Sequence, residues 1–418
     1  MTGYRILAKN HDFTALWIGQ TVSELGSRVS MFVFPLIAYG MTGSTLAAAL
    51  AEALHLLGLA GTLLPAGVLA DRLHRRRLMR VASGSGVVLY ASLGLAGALD
   101  ALTLPHLLVV ALLTGAASGL FSPAEIAAVR AVVPAEDLPT ALSQNQARQH
   151  VAGLVGGPLG GALYGVTRWL PFVVDAVTFA VSWLLLGRIR TDLSAPPRTG
   201  PPRRPRQDIA EGLRFIWSHP FFRVLTSWAA LSNLVVNAVF FVAVLRLIEG
   251  GFPAWQIGLV ETAAGGCGIL GAILAPWLID RFATGHLTVV VAWSFVPLLI
   301  PMVFWNSPLV VVVALAFGLF LNPAGNAGIG AYRIAVTPPE LIGRVGSTMQ
   351  FVSMSAMPLA PVVAGASLTL LGGPAAILVL RVLTVGVALI PTLSSSVRGV
   401  PRPSEWCDAA DPAMALAG

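Results

Sequence analysis

Charge is what this sequence has least of. Only 11% of its 418 residues are Asp, Glu, Lys or Arg, against about 25% in a soluble domain. That is too little polar surface to cover a globule in water. Lysine is nearly missing: Lys9 is the only one, and with the richness in Ala and Gly this reads as codon bias of a GC-rich genome. Cysteine is scarce too. Cys267 falls in an apolar run and Cys407 in the tail, so a structural disulfide is not expected. The alternating apolar pattern of a membrane barrel is missing. So are Gly-x-Ser-x-Gly, His-Glu-x-x-His and a phosphate-cradling Gly-Lys-Ser. An enzyme is therefore not expected, nor a metal site, nor a resident cofactor. The net charge of +7 reads as an orientation bias and not as nucleic-acid binding.

What is present is a series of helix-length apolar runs, each close to the ~20 residues that cross a bilayer. They fall at Phe13–Tyr39, Ser44–Leu69, Leu78–Leu99, Leu104–Ala124, Val151–Val166, Leu170–Gly187, Phe221–Ile248, Ile257–Ile279, Leu287–Trp305, Leu309–Tyr332, Gly346–Leu371 and Ala375–Leu393. The fifth is expected to begin earlier, near Ser143. Polar residues precede the first run, and no small-residue cleavage site follows it, so it reads as a retained helix and not a signal peptide. The expectation is an all-α membrane protein with twelve transmembrane helices.

The loops support the count. Arginines crowd alternate gaps: Arg72, Arg75, Arg76, Arg77 and Arg80; then Arg130; then Arg188 to Arg214; then Arg281; then Arg344. Arg5 and Lys9 precede the first span, and Arg398 and Arg402 follow the last. Short loops rich in Lys and Arg stay in the cytoplasm, which puts both termini there. A missed span would scramble the alternation.

The longest polar stretch divides the runs six and six. Its first part, Ala195 to Pro205, is a Pro-rich basic linker. Beyond it, Ile209, Leu213, Ile216 and Trp217 share one helical face, as in a helix lying on the inner membrane surface. The expected units are a six-helix bundle over 1–187, a cytoplasmic loop over 188–220, a second six-helix bundle over 221–394 and a tail over 395–418. The halves echo each other. Phe121-Ser122-Pro123-Ala124 before Arg130 is answered by Leu321-Asn322-Pro323-Ala324 before Arg333, and Asp71-Arg72 by Asp280-Arg281, each about 200 residues on. Related six-helix halves with a midplane substrate site are the architecture of a secondary transporter.

Between the second and third spans runs Gly67-Val68-Leu69-Ala70-Asp71-Arg72-Leu73-His74-Arg75-Arg76-Arg77. It resembles the Gly-x-Leu-x-Asp-Arg-x-Gly-Arg-Arg loop of the major facilitator superfamily, with His74 where the family has Gly. The opening, Leu16-Trp17-Ile18-Gly19-Gln20 through Gly26-Ser27, then Thr42-Gly43-Ser44, is similar to the subgroup of macrolide-efflux pumps and enterobactin exporters. The fifth span's Gly153-Leu154-Val155-Gly156-Gly157-Pro158-Leu159-Gly160-Gly161 resembles the exporter-associated Gly-x-x-x-Gly-Pro-x-x-Gly-Gly. Taken alone, such small residues also suit close packing. The resemblance implies two pseudo-symmetric six-helix bundles in a bacterial cytoplasmic membrane. It implies export of a drug, antibiotic or secondary metabolite by alternating access, driven by a proton gradient, from a monomer. An importer of a small metabolite of the same fold is the alternative. It also implies a conformational latch: Asp71 facing the start of the eleventh helix, near Gly343 to Ser347, with Gly67, Arg72, Arg75, Arg76, Glu125 and Arg130. Glu125 and Arg130 are candidates to pair with Arg75 or Asp71.

Ionisable groups inside spans are costly and usually functional. Glu24 and Arg28 lie four apart in the first span and can pair on one helical face. Glu52 and His55 are in the second, Asp175 in the sixth, Glu261 near the outer end of the eighth and Arg381 in the twelfth. Proton coupling needs a carboxylate whose surroundings change as a cavity opens. The candidates are Glu24 with Arg28, then Glu52, then Asp175, for which a structural role is also weighed. Glu261 is expected to reach the outer interface. The fourth span has no Arg in its middle, so Arg28 or Arg148 would have to serve in its place. Asn233, Asn237, Gln350, Met354 and Phe32, with Phe240 and Phe351, are the candidate lining of a wide cavity for an amphipathic substrate.

Overall fold

The computed structural model describes residues 10–70, 73–134, 137–194, 205–297, 299–338 and 341–406. Helices carry nearly all of them. In chain order they are α1 (His11–Thr42), α2 (Thr45–Ala70), α3 (Arg75–Ala98), α4 (Leu104–Val132), α5 (Leu138–Val166), α6 (Leu170–Arg188), α7 (Pro205–Ser218), α8 (Pro220–Glu249), α9 (Ala254–Arg281), α10 (Thr284–Ser294), α11 (Leu299–Phe304), α12 (Pro308–Ala335), α13 (Ile342–Ser355), α14 (Leu359–Leu371), α15 (Gly373–Leu393) and the short α16 (Ser395–Arg398).

Among the described residues, ten segments are long and apolar enough to cross a membrane. They include two passes built of paired pieces, α10 with α11 and α13 with α14. Pro297 and Pro358 stand at the two breaks, where a missing N–H and a ring clash interrupt the helical ladder. Helices α1 and α5 complete the twelve. They are 32 and 29 residues long, but Glu24 and Arg28 in α1 and the run Ser143 to His150 in α5 lower their apolarity. Large apolar side chains stand exposed along the passes, such as Leu370 and Leu393. In water such a surface would aggregate; against lipid tails it is the required one.

Two boundaries differ from the hydropathy pattern. The fourth pass runs on past Ala124 to Val132, and the fifth begins at Leu138, ahead of the start expected near Ser143. Between these extra turns, Glu125 of α4 and Arg148 of α5 form an ion pair. Start and stop signals are local. Asn10 Oδ1 accepts from the Asp12 and Phe13 amides, and Gly43 ends α1 at φ 66°, a left-handed position where glycine has no penalty.

Contacts divide the chain into two compact units. One comprises residues 1–199 with 247–262, the other 200–246 with 263–418. In the first, α2 and α4 approach so closely that a β-carbon at Gly115 would collide with the His55 carbonyl. Phe34, Tyr90, Phe172 and Phe179 form its aromatic centre, with ring centroids 5.5 to 6.5 Å apart. In the second, Ile216, Phe222, Trp228, Val345 and Met349 share one core. Helix α7 belongs to that core: Gly212 packs on Thr348 of α13, and Arg344 donates to Glu211 at 2.5 Å. Ile216 is buried, but Trp217 is 55% exposed. The side chain of Ile209 lies outside the described residues, as does Cys407; Cys267 is a free thiol.

Candidate functional site

The intramembrane charges of the first unit gather in two places. The first is built from α1, α2 and the first turns of α9. Arg28 Nε donates to Glu24 Oε1 at 3.1 Å, one helical turn apart, with both side chains partly exposed. Glu52 on α2 is only 2% exposed, and its Oε1 has no hydrogen-bond partner among the described residues. Arg28 and Glu261 both lie within electrostatic reach of Glu52. His55, one turn from Glu52 and also buried, faces Thr114 Oγ1 across 3.3 Å. Glu261 is partly buried, with Oε2 lying 2.9 Å from where a β-carbon on Gly157 would stand.

The second place lies between α4 and α5. Arg148 Nη2 donates to Glu125 Oε1 at 2.9 Å, with both side chains largely buried. Arg148, which pairs with Glu125, is brought within reach by the polar first half of α5. Arg130, one turn beyond on α4, is exposed. Asp175 is fully buried on α6. Its Oδ1 accepts from Thr178 at 2.9 Å, and the carboxylate sits so tightly against Gly26 that any side chain there would collide with it.

The basic loop ahead of α3 is tied to the chain that follows α6. Arg76 donates to the Thr191 carbonyl at 2.7 Å, the Arg75 amide to the Leu193 carbonyl at 3.2 Å, and His74 lies 3.5 Å from Asp192. Asp12, at the first turn of α1, accepts from the Arg190 and Thr191 amides and from the Thr191 hydroxyl. Burial works against its charge, but these hydrogen bonds and one from His11 outweigh it and hold the carboxyl below its usual range. Asp71 and Arg72 lie outside the described residues, and of Gly67 only the helical backbone is described.

The glycine-proline run of α5 works on two faces. Gly156 and Gly160 meet α1 at Arg28, Val29 and Phe32; Gly157 and Gly161 meet α9 at Gly258, Ala254 and Trp255. Thr262 Oγ1 adds a 2.6 Å hydrogen bond to the Leu154 carbonyl. Pro158 lies inside the helix between the two stripes. Gly153 has open space around it. Phe32, expected to line a cavity, is buried against Gly160.

In the second unit a cavity of about 130 Å³ is lined by Trp228, Ser232, Asn233, Phe295, Asn322 and Asn326, among others. Asn233 is the cavity candidate that the structure places there. Asn237 is not at its wall and donates to the Asn233 carbonyl at 2.7 Å. Gln350 and Met354 are exposed side by side on α13, 3.9 Å apart. Asn322 and Asn326, joined at 2.7 Å, were missed as lining residues. Their spacing of four within an apolar span is the signal that marks them.

Comparison with known proteins gives a consistent result. The family model described as Major Facilitator Superfamily matches residues 16–361. The multidrug efflux pump Tap of Mycolicibacterium fortuitum is 26% identical over 367 residues, covering 81% of this chain and 85% of that one. The enterobactin exporter EntS of Citrobacter koseri is 25% identical over 401 residues, covering 94% and 90%. Among solved structures, a bacterial homologue of the human lysosomal transporter Spinster aligns with a TM-score of 0.71 at 15% identity, covering 92% of this chain and 96% of that one. A bacterial homologue of the iron transporter ferroportin aligns with a TM-score of 0.66 at 17% identity, covering 90% and 98%.

Proposed function

The chain belongs to the major facilitator superfamily, and from that premise we propose that it is a proton-coupled exporter of an amphipathic drug or secondary metabolite. The observation that carries the coupling is the group of carboxylates around one arginine: Glu24, Glu52 and Glu261 about Arg28, brought in by three different helices. A carboxylate whose burial changes during transport exchanges a proton with whichever side wets it. The outward direction is supported by relatives named as an efflux pump and an exporter. The α5 glycines that meet α1 and α9 fit the same reading.

In this proposal the substrate contacts the polar-apolar wall around Asn233, Asn322, Asn326 and Phe295. Asn237, Gln350, Met354 and Phe32 come into play as other conformations form. Glu24 with Arg28 is the principal proton site, with Glu52 next and Asp175 in a structural role beside Gly26. The basic loop of Gly67, Asp71, Arg72, Arg75 and Arg76 acts as the conformational latch, aided by Arg130 and by Glu125 in its pair with Arg148. The protein works as a monomer in the bacterial cytoplasmic membrane with both termini inside, and it needs the proton gradient but no bound cofactor.

Everted vesicles carrying the protein provide the test. A labelled amphipathic drug to which the protein confers resistance is expected to accumulate inside them, and a protonophore is expected to abolish the accumulation. Accumulation that persists unchanged with the gradient dissipated removes proton coupling. Accumulation only in right-side-out vesicles favours the importer.

A further inference from the structure

Where α1, α3 and α5 end in the first unit, a cavity of about 330 Å³ opens between them, within the size range of small-ligand sites. Gly40, Asp100, Tyr164, Arg168 and Trp169 are among its lining. Glycines bring the walls together. The Tyr164 hydroxyl stands 3.6 Å from where a β-carbon on Gly40 would be, and a β-carbon on Gly97 would collide with Trp169. Trp169 also lines a second cavity of about 430 Å³. This one is an apolar groove between α3 and α6, along Ala91, Gly94, Ala98, Val173 and Ala180. A polar chamber and an apolar groove therefore meet at one indole.

Both charges in the chamber stand where local rules disfavour them. Asp100 follows α3 at φ 53°, the left-handed position that glycine fills without penalty. It also lies beside the negative end of the α3 dipole, which works against a carboxylate. Arg168 is the one basic residue in the short gaps after the first, third, fifth, seventh, ninth and eleventh passes. It goes against the bias that keeps arginine on the inner side. Among the described residues, Asp100 and Arg168 form no ion pair, and neither their side chains nor the Tyr164 hydroxyl makes a hydrogen bond. The two charges share a chamber without neutralising each other. Such a wall matches a ligand that carries both an anion and a cation, and the groove beside it matches an alkyl chain.

We propose that this unit holds one outer-leaflet phospholipid with a zwitterionic, amine-bearing headgroup. Its phosphate accepts from Arg168 and Tyr164, its ammonium donates to Asp100, and one acyl chain lies in the groove between α3 and α6. Bound in this way, the lipid ties together the ends of α1, α3, α5 and α6. A lipid that merely coats the protein would need no carboxylate in a left-handed position. The leaflet rests on the proposed orientation with both termini inside; the site depends on neither proton coupling nor the direction of transport.

Native mass spectrometry of the full chain tests this. The protein is delipidated in detergent and titrated with phosphatidylethanolamine or phosphatidylglycerol. The wild type is expected to retain one ethanolamine lipid, about tenfold more tightly than the glycerol lipid, which lacks the cation. Asp100→Gly suits the left-handed backbone and should melt no lower than the wild type, yet it should bind the two lipids alike. Arg168→Gln should weaken both, as should Ala91→Phe, which fills the groove. Equal wild-type affinity for the two lipids overturns the proposal, and so does a preference that survives in Asp100→Gly. Full binding by Ala91→Phe overturns it as well, as does glycerophosphoethanolamine, which has no acyl chains, binding as tightly as the lipid. Orientation is read separately. Gly165→Cys, with Cys267→Ser and Cys407→Ser, should react with a membrane-impermeant thiol reagent on intact cells. Failure to react sinks the outer leaflet while a lipid preference lost in Asp100→Gly still upholds the site. Export is scored by the vesicle experiment alone.

Discussion

Asp12 shows how one side chain fixes the junction between two helices. It stands at the start of α1 and accepts three hydrogen bonds from Arg190 and Thr191 just after α6. Its carboxyl is held below the usual range, so the stability it adds is present above the ordinary carboxylate pKa and is lost as pH falls through the lower folded value. Asp12→Asn should therefore lower thermal stability in detergent by about 1–3 kcal/mol near neutral pH. The gap from wild type should narrow as the medium becomes strongly acidic, and a melting series against pH checks both parts. The Glu125–Arg148 pair makes a sharper case because both partners are buried. Glu125→Ala leaves an unpaired buried guanidinium and should cost about 3–5 kcal/mol, while Glu125→Leu with Arg148→Met should recover most of it. The melting temperatures of the single and double variants decide the matter.

At the scale of the element, α5 is the most informative helix. Its two glycine stripes face different neighbours, α1 and α9, while Gly153 faces open space. Gly153→Ala is accordingly expected to leave transport near wild type. Gly161→Leu, which would strike the α9 backbone, should abolish transport even where the protein still reaches the membrane. Efflux assays normalised to membrane-localised protein separate the two. Helix α7 is a second case. Gly212 and Ile216 dock this helix on α13. The exposed Glu211–Arg344 pair contributes little, about 0–1 kcal/mol. Gly212→Leu should thus destabilise far more than Glu211→Gln, as read by proteolysis of the 195–220 region.

For the whole molecule, the decisive property is the sidedness of transport. In a host stripped of its own pumps, the wild type is expected to raise resistance to at least one amphipathic drug. Glu24→Gln and Asp71→Asn should lose that resistance at equal expression. If both variants keep full resistance, neither the proton site at Glu24 nor the latch at Asp71 stands.

The sequence alone determined the number of passes, their order and the family, because a bilayer admits only segments that satisfy their own backbone hydrogen bonds over a fixed thickness. It also fixed the pairing of Glu24 with Arg28, since residues four apart on a helix are neighbours whatever surrounds them. Where α4 ended and α5 began could not be read from hydropathy, because the polar turns are stabilised by Glu125 meeting Arg148 across 23 positions of chain. The same holds for Glu261. By sequence it is a carboxylate near the end of an apolar run. Only the tertiary structure set it against Gly157 and within reach of Glu52, since contacts between distant helices depend on which faces pack, and hydrophobic runs this uniform do not specify a face.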